Sequence, residues 1–147
     1  MTRNLFTIGF TRKTAEQFFG LLRGSRAATL IDVRLNNVSQ LAGFAKRDDL
    51  KFFVGEICGM TYLHRPDLAP TQAMLDDYKK RGAKWAEYEP RFTELIATRR
   101  IEETVPRELL ENAVLLCSED QPHHCHRRLV AEYLARHWGD VEITHLA

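Results

Sequence analysis

The chain has 147 residues, the length of one ordinary domain, and 44% of them are hydrophobic, enough to bury a core. Its 21 basic and 20 acidic side chains do not fit a histone-like or membrane-surface protein, so any anion site must be local. Three cysteines are too few for a secreted disulfide scaffold, and an odd number cannot all form pairs within the chain. Because we find neither a signal-peptide pattern nor a run of roughly 20 apolar residues, we expect a cytoplasmic protein with reduced thiols and no membrane association.

Short apolar runs bounded by polar residues predict the strands of a sheet. They cover residues 5–10, 29–34, 61–64, 113–118 and 141–146, and the run at 61–64 is the weakest. Helical patterns lie between them, and this alternation is typical of βαβ units. The sequence therefore predicts a single α/β domain over residues 1–147, with a Rossmann-like, mainly parallel sheet and flanking helices.

Two helices carry clear start and stop signals. Thr14 and Gln17 have the spacing of a capping box, and Gly24 is the predicted end of the first helix. Gly139 is the predicted end of the last helix. We expect that helix to bury one set of side chains: Leu129, Val130, Tyr133, Leu134 and His137.

Polar clusters follow three of the predicted strands, at residues 9–11, 32–34 and 117–128. Ligands of open α/β sheets bind outside the carboxyl ends of the strands. If the strands are parallel, the three clusters lie at the same edge of the sheet. We therefore expect the functional site there.

The segment 117–128 contains the residues best suited to chemistry. With Pro122 as the first helical position, Cys125, His126 and Arg127 lie in or just past the first turn of the last helix. Backbone N–H groups and the helix dipole there favour a thiolate or a bound phosphate. Cys117 ends an apolar strand, where a cysteine is equally often a small buried hydrophobe.

Other residues of this segment have simpler interpretations. Arg128 and Glu132 are four apart on a helix, as in a surface ion pair. His123 and His124 fit a solvated loop. With Cys117, Cys125 and His126 they also offer zinc-type ligands, but this spacing matches no usual zinc motif. No metal ligand is therefore assigned, and metal binding stays an alternative.

Two further patterns have two interpretations each. Asp32 and Arg34 are two apart at a strand end, so they point to the same side, either into the site or toward each other as an internal salt bridge. The basic and aromatic run 78–85 could contact nucleic acid. However, Asp76 and Asp77 precede it and Gly82 lies within it, an order that favours an ordinary helix end.

The chain resembles the family catalogued as domain of unknown function 488 over almost its whole length. The shared motifs occur in order: Thr7-Ile8-Gly9 with Thr11, Leu30 to Arg34, Ser39 with Phe44 and Leu50, Gly59 to Tyr62, Leu115 to Glu119, Cys125-His126-Arg127, and Val141 to Leu146. One departure is Phe10-Thr11, where the family usually has His-Ser, so a histidine in the first loop is not essential here.

The resemblance implies that one group of residues forms a single site: Asp32, Arg34, Cys117, Glu119, Cys125, His126 and Arg127. It gives Glu119 a role that spacing alone does not suggest, which is to orient a histidine or arginine or to accept a proton. The family has no assigned activity, so the resemblance implies no reaction and no cofactor.

We therefore predict a thiol-dependent transferase or hydrolase that acts on a small anionic, nucleotide-like substrate, with nucleic acid as a further possibility. Cys117 or Cys125 is the expected nucleophile or redox thiol, and the other catalytic candidates are His126, Glu119 and Asp32. The predicted substrate-binding residues are Arg34, Arg127, Thr11, Gly9 and Tyr62. The alternatives are a metal-binding protein and a non-catalytic module that binds nucleic acid or a partner protein.

Overall fold

A computed structural model describes residues 3–38, 43–119 and 122–147 of the chain. Within them, five parallel strands form one sheet in the order β3-β2-β4-β1-β5. The strands are β1 (Arg3–Gly9), β2 (Thr29–Asp32), β3 (Thr61–His64), β4 (Ala113–Cys117) and β5 (Val141–His145). The predicted strands and α/β class are confirmed, and every pairing is parallel. Ser39, Asp120 and Gln121 lie outside the described residues.

Helices connect the strands and cover both faces of the sheet. They are α1 (Ala15–Ser25), α2 (Arg47–Cys58), α3 (Gln72–Lys79), α4 (Trp85–Thr98), α5 (Ile101–Thr104), α6 (Arg107–Leu110) and α7 (His126–Trp138). Short 3₁₀ turns at Gly43–Ala45 and Pro66–Leu68 complete the connections. None of the described helices is long and apolar enough to cross a membrane.

Side chains alternate between two hydrophobic cores on opposite faces of the sheet. One core, beneath α1 and α2, contains Val114 and Leu116 of β4. The other, beneath α4 and α7, contains Ala113, Leu115 and Cys117 of the same strand. This is the alternation expected of a strand covered on both faces. Cys117 therefore points toward α4 and α7.

The capping box of α1 is confirmed, since the Thr14 hydroxyl accepts from the Gln17 N–H and the Gln17 side chain accepts from the Thr14 N–H. The predicted end of α1 at Gly24 is wrong by one residue, because the last helical residue is Ser25. Arg26 follows it with a left-handed φ of 57°. Gly139 ends α7 as predicted, with a φ of 87°.

The start and the buried face of α7 differ from prediction. The helix begins at His126 rather than at Pro122, because residues 122–125 form a turn closed by the Cys125 N–H and the Pro122 carbonyl. Cys125 is extended and is the N-cap. Four predicted inward residues of α7 are buried, but His137 is exposed and Trp138 is buried in its place. Position 137 lies on the same side of the helix as Val130 and Tyr133, but it falls in the last turn, where the His137 ring packs on Tyr133 at 4.4 Å and stays exposed.

The run 78–85 contains the C-terminal end of α3, which agrees with its interpretation as an ordinary helix end. Lys80 pairs with Asp76 at 3.4 Å, and Arg81 pairs with Asp77 at 2.5 Å. Both pairs have i,i+4 spacing on or just beyond α3, where exposed ion pairs contribute little. Gly82 follows with a φ of 71°.

The end of β1 approaches the loop after β4 so closely that only glycine fits at position 9. A Cβ on Gly9 would overlap the Glu119 carbonyl and lie 2.8 Å from the Arg127 guanidinium. We expect Gly9→Ala to lower the free energy of unfolding by about 1–3 kcal/mol or more, because the backbone at Glu119 must move. Urea denaturation measures this change.

Gly20 in α1 supplies the matched control. A Cβ there meets nothing within 4 Å, so Gly20→Ala should stabilise the protein by about 0.5–1 kcal/mol through helix propensity. Equal effects of the two substitutions would contradict the close approach at Gly9.

Candidate active site

The sheet order brings the predicted polar clusters to one edge. β4 lies between β2 and β1, and the loops after those two strands bond to the end of β4. The Val33 N–H donates to the Leu116 carbonyl at 3.0 Å, and the Thr11 N–H donates to the Ser118 carbonyl at 3.0 Å. The three clusters are therefore neighbours, as the parallel arrangement predicts.

A pocket of about 140 Å³ opens at this edge, between the ends of β2 and β4 and the helices α3 and α4. Five of the predicted site residues line it: Arg34, Cys117, Glu119, Cys125 and His126. Asp32, Arg127, Gly9, Thr11 and Tyr62 are not among the described residues that line it. Of these five, Thr11 is exposed and the other four are buried in the fold.

Cys117 and His126 form a buried thiol–imidazole pair. The Cys117 Sγ lies 3.4 Å from the His126 Nδ1, and the His126 Nε2 lies 2.7 Å from the Val33 carbonyl oxygen. A carbonyl only accepts, so Nε2 carries a hydrogen and donates to Val33. In neutral His126 the Nδ1 is then free to accept the Cys117 proton. Burial lowers the pKa of His126, which favours this neutral form.

Cys125 and Arg127 favour ionisation of Cys117. Burial alone would raise the pKa of the Cys117 thiol, but a hydrogen bond from Cys125, the Arg127 charge and the Ser118 backbone lower it below its ordinary value. Burial, the bond to Cys117 and the charge of that sulfur raise the pKa of Cys125 well above its ordinary value. The two thiols are therefore unequal, and Cys117 is the one that ionises first.

Arg127 is fully buried within the fold rather than exposed to the pocket. Its Nε donates to the Thr7 hydroxyl at 3.2 Å, and its Nη1 donates to the Glu119 carbonyl at 2.5 Å. The Thr7 hydroxyl lies 2.6 Å from the His145 Nδ1. Arg127 thus ties α7 to β1 and to the loop after β4, and its charge acts on Cys117.

Asp32 and Arg34 form an internal ion pair on the opposite face of the sheet. The Arg34 Nε and Nη2 donate to the two Asp32 oxygens at 2.9 and 2.8 Å, and Nη2 also donates to the Ala45 carbonyl. The Tyr62 hydroxyl and the Asn37 amide donate to Asp32 as well. With these three partner residues, Asp32 acts as a buried structural carboxylate that locks the loop after β2.

Arg34 still has unused capacity beside the pocket. Its guanidinium lies over the Phe10 ring at 5.3 Å, and its Nη1 is buried with no hydrogen-bond partner in the part of the chain that the structure describes. A buried N–H without an acceptor is unfavourable by about 1–3 kcal/mol. Arg34 therefore combines a structural bond to Asp32 with one buried N–H group whose hydrogen-bonding capacity is unused.

Two other predicted residues have local roles. The exposed Thr11 hydroxyl donates to the Ser118 carbonyl at 2.6 Å, which fastens the loop after β1 to the loop after β4. The Glu119 side chain is exposed and lines the same pocket as Tyr78, whose pKa is raised by burial and by the charge of this carboxylate. Glu119 is thus placed across the pocket from α3.

Sequence reasoning missed the wall that α3 and α4 contribute. Tyr78, Lys79, Trp85 and Tyr88 line the pocket, and so does His124, whose ring stacks on Trp85 at 5.2 Å. The signal was present in the run 78–85, whose two aromatic ends face the pocket. Its basic residues at 80 and 81 are the ones in ion pairs.

The same cluster has the composition of a metal site. One ligand atom from each of Cys117, Cys125 and His126 lies within 4.8 Å of the others, and all three residues are buried. Tetrahedral zinc, with Zn–S of about 2.3 Å and Zn–N of about 2.1 Å, separates a sulfur and a nitrogen ligand by about 3.6 Å. The 3.4 Å between Cys117 and His126 is close to this value. The His126–Val33 bond also orients Nδ1 as in metal-ligating histidines.

A parallel α/β domain with a thiol–imidazole cluster at the carboxyl edge of its sheet is the class of protein that this fold and site define. The chain belongs to the family described as Domain of unknown function DUF488, whose model matches residues 14–134. This match confirms the family that the sequence motifs suggest. Comparisons with curated proteins and with solved structures gave no match.

The Asp32–Arg34 pair yields a test of its structural role. Asp32→Asn should lower the free energy of unfolding by about 3–5 kcal/mol at neutral pH, because it leaves a buried guanidinium uncompensated. Burial alone would raise the pKa of Asp32, but the bonds and charge of Arg34 lower it below its ordinary value. Its stabilising effect is therefore full above an ordinary carboxyl pKa of about 4 and is lost as pH falls through the lower folded pKa.

Urea denaturation of both proteins between neutral and acid pH measures this effect. The stability gap between the natural chain and Asp32→Asn should begin to shrink below about pH 4, where the carboxyl of the unfolded chain takes up a proton, and should be lost as pH falls through the lower folded pKa of Asp32. Tyr62→Phe, which removes only one bond to the carboxylate, should lower stability by about 1.5–3 kcal/mol. A gap that does not change with pH would contradict the role assigned to the pair.

Proposed function

We propose that the protein is a thiol-dependent transferase or hydrolase that acts on a small anionic substrate, with Cys117 as its nucleophile. One observation carries this proposal: the Cys117 Sγ lies 3.4 Å from the His126 Nδ1, in the wall of a pocket. A nucleophile within reach of a base that a third group orients is the arrangement of covalent catalysis. Here the Val33 carbonyl orients the base.

The reaction begins with proton transfer from Cys117 to the His126 Nδ1. The resulting thiolate lies near the Arg127 charge and accepts a hydrogen bond from Cys125, and both interactions favour it. Cys125 keeps its proton because its own pKa is raised by burial and by Cys117. Cys125 is therefore the donor of the pair, and Cys117 is the nucleophile.

The thiolate then forms a bond to the electrophilic atom of the substrate. The bond to the leaving group breaks with its electron pair, and the proton held by His126 goes to that group. In the second step water or an acceptor molecule attacks the same atom, its proton passes to the now neutral His126, and the bond to Cys117 breaks to release the thiolate. His126 then returns the proton to Cys117. Water makes the enzyme a hydrolase, and an acceptor makes it a transferase.

Positive groups on the pocket wall select an anion. Arg34 and the exposed Lys79 both line the pocket and carry positive charge. A hydrogen bond from a charged donor is worth about 1.5–3 kcal/mol. Arg127 contributes to the thiolate rather than to substrate binding, because it is fully buried within the fold. The three cysteines are free thiols, and this chemistry requires a reducing compartment such as the cytoplasm.

Alkylation of each cysteine with iodoacetamide at a series of pH values tests the nucleophile. The rate at Cys117, followed by peptide mass spectrometry, should rise with a midpoint below the pKa of about 8.5 of a free thiol. Cys58 is the internal control, because burial raises its pKa despite the nearby Arg23 charge. The thiolate absorbance in the ultraviolet gives the same midpoint without depending on reagent access.

A matched pair of histidine variants identifies the base. His126→Gln should slow alkylation of Cys117 at neutral pH about tenfold, the change that one pKa unit makes to the thiolate fraction. His123→Gln, at an exposed neighbouring position outside the pocket wall, should leave the rate unchanged. A Cys117 midpoint at or above that of Cys58 would rule out the proposed nucleophile.

A zinc site is the second candidate, and the cluster of Cys117, Cys125 and His126 within 4.8 Å favours it. Two thiolates and an imidazole leave one position open, as in catalytic zinc sites, where the ion polarises the substrate or activates water. In this case both cysteines are deprotonated by the metal, and neither acts as a nucleophile.

Elemental analysis of the purified protein separates the two candidates. The zinc site predicts one metal ion per chain, which is retained in Cys58→Ser and lost in Cys125→Ser. It also predicts that a chelator lowers the unfolding temperature, because metal binding contributes to folding. A metal-free protein with the same unfolding temperature in chelator would contradict the zinc site and favour the thiolate.

A further inference from the structure

We infer that the substrate of this pocket is a small anion that carries a single planar ring, which stacks against Trp85. The inference rests on the proposed function and adds to it the chemical class of the substrate. It depends on a continuous aromatic wall along α4, on the volume of the pocket and on the charges at its rim.

The aromatic wall runs from the pocket rim to the thiol–imidazole pair. Trp85 and Tyr88 stack at 5.1 Å with an angle of 23° between their rings, and Tyr88 and Phe92 stack at 6.1 Å with an angle of 6°. Phe92 then contacts the His126 ring edge to face at 5.4 Å. The wall thus leads from solvent to the base of the proposed reaction.

The members of this wall differ in exposure, which assigns them different roles. Tyr88 and Phe92 are buried in the core beneath α4, as their spacing on the helix requires. Trp85 is only half-buried, and the exposed His124 ring stacks on it with an angle of 22°. An exposed side chain in that position can be exchanged for a ligand ring of similar shape. Trp85 is therefore the stacking platform.

Volume and charge define the rest of the ligand. Pockets that enclose drug-sized ligands measure roughly 300–1,000 Å³, so about 140 Å³ admits one ring rather than a fused pair with its substituents. Lys79 and Arg34 provide positive charge near the ring position, and the Glu119 carboxylate accepts hydrogen bonds from ring N–H groups. A heteroaromatic ring with an attached phosphate or carboxylate matches the volume, the positive charge and the hydrogen-bond acceptor of the pocket.

Binding of defined probes, measured by calorimetry and by tryptophan fluorescence, tests the inference. Uridine 5′-monophosphate and benzoate carry both ring and anion, ribose 5-phosphate and acetate carry only the anion, and uridine carries only the ring. Stacking on an aromatic side chain corresponds to roughly fivefold to 150-fold in affinity. We expect uridine 5′-monophosphate to bind at least about tenfold more tightly than ribose 5-phosphate.

Matched variants locate the binding. Trp85→Leu should reduce the affinity for uridine 5′-monophosphate to that for ribose 5-phosphate, whereas Phe52→Leu, at an exposed ring on α2, should not change it. Lys79→Gln should weaken both phosphates several-fold, while the neighbouring Lys80→Gln, outside the pocket wall, should weaken neither. The comparison of probes on the natural chain holds whether or not Trp85→Leu folds.

The possible outcomes separate this inference from the proposed function. Equal affinities for uridine 5′-monophosphate and ribose 5-phosphate, unchanged binding in a folded Trp85→Leu, or no binding of any probe at millimolar concentration would overturn the ring subsite. None of these results bears on the reactivity of Cys117, which alkylation measures separately. Ring binding next to an unreactive Cys117 would instead support the subsite and overturn the nucleophile.

Discussion

The parallel hydrogen bonding of β4 with β2 on one side and β1 on the other determines where every group of the site lies. Because the three strands run in the same direction, Asp32 aligns with Leu116 and Gly9 aligns with Cys117. The loops that leave these strands then bond to one another rather than to solvent. Cys117 is the last residue of the fully buried strand β4, so it is held at the carboxyl edge with a fixed orientation, and α7 can bring Cys125 and His126 against it.

Because side chains alternate between the two faces of the sheet, two groups of residues with different roles lie on opposite faces although they are close in the sequence. Asp32, Tyr62 and most of Arg34 lie on the face beneath α1 and α2, where they hold the loop after β2. The thiols and His126 lie on the face beneath α4 and α7. A buried ion pair contributes order more than net stability, and its loss leaves an uncompensated charge. The Asp32–Arg34 pair therefore holds the Val33 carbonyl in position, and this carbonyl in turn orients the His126 ring.

Much of this arrangement is predictable from the sequence, and there are physical reasons why the rest is not. The strands, the capping box at Thr14 and the meeting of Arg34 with Cys117, Cys125 and His126 follow from local patterns and the rule for parallel sheets. The role of Trp85 does not, because an aromatic residue at helical spacing looks like any core residue until the tertiary fold shows which end of α4 reaches the pocket. The start of α7 was misplaced because Pro122 suits a turn as well as a first helical turn.

Unequal ionisation of two neighbouring thiols is the central claim, since it distinguishes an active thiolate from two buried cysteines and from a metal site. Carbon-13 NMR of protein labelled at the cysteine Cβ atoms follows each thiol separately as pH changes. The account predicts that Cys117 titrates below the pKa of about 8.5 of a free thiol, while Cys125 stays protonated well above it. Titration of Cys125 first, or two sulfurs that remain protonated together, would contradict it.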